Sequence, residues 1–276
     1  MGLAERLYKP SVFQKYIPPA PKKTPFFKIL IKLTFYLSLA TSVFLLFYKP
    51  PFPEQSRIVD RIKESEPAQT KTKLPEIEKS YKNYRYKIQP LYDYELSGLV
   101  VSEYTSDNWL DFFHKQDPAN TRDLCVIWGN FIKSDYYRQV KYGHGEFTCT
   151  LELKNPSDWK NPSDITAVFP SLSNNHLIPA TGEIADKINQ AKVGDQIYFK
   201  GYLASYQVFS SENQLISQRG TSTIREDIGN GACETVYVTD FEVLQHENSL
   251  YWIFRTTIPK ILAISSVLIL VLFFLP

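Results

Sequence analysis

Residues 181–208, TGEIADKINQAKVGDQIYFKGYLASYQV, decide how the middle of this chain is read. Ile184, Ile188 and Ala191 recur at helical spacing, so the stretch predicts an amphipathic helix over Glu183–Val193. Thr181 stands where an N-cap belongs and Gly194 where a helix stops. Gly194-Asp195 then opens a tight turn into a strand packed by Ile197, Phe199, Tyr202 and Leu203. Gly201 lies inside that strand, the usual mark of a bend or a close backbone approach. A helix running straight into a bent strand is what joins the third and fourth strands of an OB-fold.

Working outward, three β-rich runs precede the helix. Tyr94, Leu96 and Gly98–Val101 predict a long strand that becomes buried on both faces. Leu124–Lys133 (LCVIWGNFIK) is the second run, and Glu146–Lys154 (EFTCTLELK) alternates Phe147, Cys149, Leu151 and Leu153 on one face. After the helix and its strand comes a last run, Cys233–Leu244 (CETVYVTDFEVL), with Val236, Val238, Phe241 and Val243. The order predicts a mainly β domain with one or two helices, an OB-like barrel, α+β by count. An open β-sandwich with a surface helix is the rival architecture. Between the runs, Ser106-Asp107 is expected to cap a short helix carrying Trp109, Leu110, Phe112 and Phe113. The repeat NPSDWK-NPSDI within Asn155–Ile165 reads as loop. The 18 Tyr and 18 Phe suit strands rather than helices.

Two apolar runs flank this domain, Ile29–Tyr48 and Ile261–Leu275. A bilayer core about 30 Å thick needs roughly 20 apolar helical residues, which the first run supplies. The second reaches that length only with Thr256–Lys260, where Lys260 can snorkel and Tyr251 and Trp252 suit the interface. A signal peptide for the first, and a re-entrant or interfacial helix for the second, are the competing readings. The expected division is a basic tail over 1–28, a transmembrane helix over 29–48, a stalk over 49–83, the β domain over 84–247 and a second transmembrane helix over 256–275. Arg6, Lys9, Lys15, Lys22, Lys23 and Lys28 in the tail, against Glu5 alone, predict cytoplasmic termini and a domain outside the cytoplasm. No Asn-x-Ser/Thr sequon free of proline occurs, which favours a bacterial inner membrane and a periplasmic domain.

Net charge is +2, from 31 basic and 29 acidic residues, which gives no bulk drive toward nucleic acid. Expected partners are the lipid bilayer and a protein of an envelope complex. No cofactor and no metal is expected, since the three cysteines form no CxxC and no phosphate-loop or zinc-protease motif occurs. Cys125 and Cys149 are the favoured disulfide; Cys149–Cys233 or no bond remain open.

Three stretches carry candidate chemistry. In Arg219–Glu234 (RGTSTIREDIGNGACE), Arg219 and Arg225 would bind a carboxylate or phosphate, with Asp227, Glu234 and the Gly229–Gly231 turn beside them. An irregular turn held by internal Arg–Asp pairs is the plain alternative. In Ser173–Ala180, Asn175 and His176 either line a site or cap backbone groups ahead of the helix, and His176 with Cys233 is the one candidate nucleophile–base pair. Lys133, Tyr136, Tyr137, Arg138, Lys141, Tyr142 and His144 form a basic aromatic patch of the type that holds single-stranded nucleic acid, or a solvated hairpin tip.

Four motifs together resemble a family of bacterial membrane-anchored proteins for which no activity is established: CVIWG at 125–129, SNNHLI at 173–178, GDQI at 194–197 with GYL at 201–203, and RGTST at 219–223 running on to GNGACE at 229–234. The resemblance covers roughly 92–244 and implies location and lineage, not a reaction. The reading that follows is a non-enzymatic envelope module that binds a protein partner or envelope ligand. A hydrolase using Cys233 and His176, and single-strand nucleic-acid binding at the membrane, are the alternatives.

Overall fold

The computed structural model describes residues 26–106, 117–145, 147–155, 167–225, 227 and 232–274. The basic tail before residue 26, the short helix expected after Ser106, the NPSD repeat and the Gly229–Gly231 turn lie outside them. The described residues fall into two compact units: Lys49–Ile253, and a smaller unit that holds residues 26–48 and 254–274.

The larger unit is mainly β, built on one mixed sheet. Its strands are β1 (Ala68–Lys71), β2 (Ile77–Tyr81), β3 (Tyr84–Thr105), β4 (Arg122–Ile127), β7 (Leu172–Pro179), β8 (Gln196–Phe209), β9 (Leu215–Arg219) and β10 (Glu234–Gln245). β3 pairs antiparallel with β4, and β4 with β7. β7 runs parallel to β10, β10 antiparallel to β8, and β8 antiparallel to β3, so the pairings return to their starting strand. A separate hairpin, β5 (Val140–His144) and β6 (Cys149–Leu153), leaves the chain between β4 and β7. Cys125 of β4 and Cys149 of β6 stand at disulfide distance, Cα atoms 6.0 Å apart, and Cys233 is a free thiol.

The diagnostic helix forms over Gly182–Gln190, with Ile184 N–H donating to Thr181 Oγ1 at 3.3 Å. Among the described helices α1 is Phe26–Phe47, α2 Asp60–Glu64, α3 Gly129–Lys133, this one α4, and α5 Ser249–Phe274. Ile184, Ile188 and Ala191 of the α4 stripe and its exit enter the main core with Leu124, Val126, Leu177, Phe199 and Val236. The helix ends three residues earlier than its pattern predicts, because buried Arg122 takes over the C-terminal carbonyls. Its guanidinium donates to Ile188 O, Asn189 O and Ala191 O at 3.2, 2.7 and 2.7 Å. Gly194 then turns at φ +96°, a conformation side chains resist. Gly201 meets the expected close approach: a Cβ there would lie 2.0 Å from Tyr237 O of β10.

Four expectations are corrected. The third strand of the ring is β7, not the run expected over Glu146–Lys154, of which Cys149–Leu153 is half of the hairpin. The Ser173–Ala180 stretch, expected only to line a site or cap the helix, belongs largely to that strand, which is buried along nearly its whole length. Its Ser-Asn-Asn-His run carries residues depleted in strands, so tertiary pairing on both sides overrides propensity. Leu124–Lys133 is also broken, Gly129 turning at φ +48° from β4 into α3. The segment 49–83, expected as a stalk, carries α2, β1 and β2. Both strands pair with β3, and Ile58 and Ile62 are core residues. The Ile58, Val59, Ile62 stripe is the sequence signal for that docking.

In the smaller unit, α1 and the apolar part of α5 are long and apolar enough to cross a membrane. Arg255 Nη1 donates to Leu45 O at 2.5 Å, filling one of the carbonyls that the end of α1 leaves open.

Candidate functional site

Strand alternation divides the candidate residues between two faces of one sheet. Parallel pairing sets Glu234 beside Asn175 and Thr235 beside His176. Side chains two apart share a face and neighbours do not. Ser173, Asn175 and Glu234 therefore face the core with Leu177 and Val236. Asn174, His176, Cys233 and Thr235 face the other way, toward the β5–β6 hairpin.

On the core-facing side, Arg225 closes a small polar cluster. Its Nη1 donates to Glu234 Oε1 at 3.0 Å and to Tyr94 OH at 3.4 Å. The guanidinium carbon stands 5.1 Å from the Trp128 ring centre and 5.8 Å from that of Tyr94. Both are within cation–π range. The fully buried Trp128 donates Nε1–H to Glu66 Oε2 at 2.8 Å. Asn175 Nδ2 donates to Ser173 Oγ at 2.8 Å. Among the described residues, Glu234 Oε2 and Asn175 Oδ1 are buried and have no hydrogen-bond partner. Burial pushes the Glu234 carboxyl up to about 8, with Arg225 pulling the other way. Burial also raises the Tyr94 hydroxyl, with the Glu234 charge adding to it.

On the hairpin side, His176 Nδ1 and Asp123 Oδ2 are 2.6 Å apart, both groups buried. Across the strand register Asp123 pairs directly with His176. Ser102 Oγ lies 3.2 Å from His144 Nδ1. Burial holds His144 down at about 4, against the Asp123 charge. Asn174 Nδ2 donates to Phe147 O at 3.1 Å and approaches Cys233 Sγ at 3.8 Å. Burial raises the Cys233 thiol above its ordinary value, which disfavours the thiolate that nucleophilic chemistry needs.

The expected residues are thus not one pocket. Arg225 meets Glu234, and Asn175 is the register neighbour of Glu234 on the same face. His176 and Cys233 lie on the opposite face, and the described hydrogen bonds of each go elsewhere. Arg219 does not join Arg225 on an anion: its guanidinium carbon lies 4.8 Å from the Phe147 ring centre. Asp227 accepts from Ser222 Oγ. In the basic aromatic patch, Tyr137 is fully buried, and Lys133, Arg138 and Lys141 pair with Glu64, Asp135 and Glu152. Among the described residues no group of three His, Cys, Asp or Glu is placed to hold a metal ion. Sequence reasoning missed Tyr94, Trp128 and Glu66 on one side and Ser102, Asp123 and Asn174 on the other. A charged Asp123 at the head of the apolar run LCVIW was the one visible signal. An open groove of about 400 Å³ lies apart from both clusters, between Lys87, Gln207, Gln218 and Arg219.

Comparisons of the chain with protein-family models, curated proteins and solved structures return no match.

Proposed function

We propose that this chain is a membrane-anchored envelope protein whose middle domain is an OB-like module. That module holds a protein partner or an envelope ligand and catalyses no reaction. Support for the OB-like reading comes from strand order. With β3, β4, β7, β8 and β10 taken as strands one to five, the ring runs 1-2-3-5-4 and back to 1, and the helix falls between three and four. Support for the anchor comes from the two apolar helices; the tail charge favours cytoplasmic termini with the domain on the other side, and the lack of a proline-free sequon favours a bacterial inner membrane.

The observation that carries binding over catalysis is that His176 and Cys233, although on one face, make no hydrogen bond to each other among the described residues. His176 is bonded to Asp123, Cys233 stands against Asn174 and the Phe147 carbonyl, and the thiol is pushed away from ionisation. A nucleophile–base pair needs hydrogen-bond contact between its members. Arg225, by contrast, is 24% exposed above the buried Glu234 carboxyl group. A photo-crosslinking residue at Ile224, which is exposed beside it, is expected to capture a protein partner in intact cells. No adduct at Ile224, together with loss of the cellular phenotype in Cys233→Ala, returns the reading to a thiol enzyme.

A further inference from the structure

Arg225 fills its surroundings incompletely. A guanidinium offers five donors in a planar fork, and a carboxylate usually takes two of them side by side. Among the described residues, only Nη1 is engaged, on one oxygen of Glu234 and on Tyr94 OH. Among the described residues, the second Glu234 oxygen, and Asn175 Oδ1 on the register neighbour, are buried and without a hydrogen-bond partner. Two aromatic faces, Trp128 and Tyr94, stand beside them. Aromatic walls, a buried acid and spare acceptors are the requirements of a site for an organic cation, here with one occupant already in it.

We propose that Trp128, Tyr94, Glu234 and Asn175 form a recognition site for a guanidinium group, which Arg225 occupies from within the chain and which the arginine side chain of a protein partner would take in its place. This rests on the partner-binding reading and names the chemistry at its site. Guanidinium is favoured over a primary ammonium because it presents a planar fork of donors to groups on two neighbouring strands and stacks on aromatic faces.

The test uses the full chain in detergent micelles, with Arg225→Ala and methylguanidinium as probe. Methylguanidinium should raise the thermal midpoint of Arg225→Ala saturably and change its Trp128 emission, the latter identified by its loss in Arg225→Ala/Trp128→Phe. Methylammonium and urea should bind about tenfold more weakly or not at all. The wild type, already filled, should need about tenfold more probe for the same response. Glu234→Gln added to Arg225→Ala should abolish it. Equal responses of wild type, Arg225→Ala and the double variant would overturn the proposal, as would equal responses to methylguanidinium and urea. If Arg225→Ala does not fold, Arg225→Met, neutral and of similar length, takes its place in every arm. A partner captured at Ile224 with no rescue by methylguanidinium overturns this site and leaves the partner-binding reading standing. Rescue with no captured partner does the reverse.

Discussion

Glu234 ties the stability of this domain to pH. Its carboxyl is raised from 4.5 to about 8 when folded, so the folded state holds a proton that the unfolded chain releases. The contribution is complete below pH 4.5 and is lost as pH rises toward 8. His144 acts in the opposite sense. Lowered from 6.5 to about 4, it stabilises fully above 6.5, and that contribution drains away as pH falls toward 4. Chemical unfolding across pH should therefore show two opposed slopes. Glu234→Gln should remove the alkaline decline and His144→Gln the acid one; an unchanged profile in either variant refutes its assignment. Glu234, Asn175, His176 and Cys233 all stood out in the sequence as polar residues inside or beside apolar runs. Their grouping did not, because grouping is decided by which residue faces which across strands far apart in the chain. Asn175 and His176 are sequence neighbours and serve opposite faces, whereas Asn175 and Glu234, 59 positions apart, are register partners.

At the level of elements, the Cys125–Cys149 link bridges 24 positions and fastens the β5–β6 hairpin over β4. Cys149→Ser should cost about 3 kcal/mol by the loop-entropy account. It should also expose the β5–β6 amides to hydrogen exchange well before those of β8. Protection lost equally across β8 would mean that the hairpin is not a separable layer. Gly201→Ala is the second element-scale prediction. The added methyl meets a backbone carbonyl that cannot step aside without parting β8 from β10, so a loss of about 3 kcal/mol is expected in the unfolding midpoint. The helix and Gly201 were legible because periodicity and glycine placement are local. β7 was not, since a strand enclosed on both sides needs no alternating pattern and its polar run imitates a loop. The 49–83 segment misled through composition: its prolines and charges resemble a linker, although two isoleucines and two short strands suffice to dock it.

For the molecule as a whole, two apolar helices bracket a β unit, and that arrangement was visible from hydropathy alone. The side of the membrane is the remaining prediction: protease added to spheroplasts should digest the domain while sparing the tail, and a domain protected until lysis reverses the assignment. The ring has a further consequence, in time rather than in space. Its last strand, β10, pairs with both β7 and β8, and so fills the gap between them. A chain emerging from its N-terminus cannot complete the sheet until residues 234–245 have been made, roughly five seconds after β7 at ordinary synthesis rates. Through that interval β7 waits with one edge unpaired, the condition that invites strands of other chains. Ser173, Asn174, Asn175 and His176 make it a poor template, since stacking into aggregates favours apolar, strongly β-forming segments. The polar residues that equip both faces of the finished sheet also keep the unfinished one soluble.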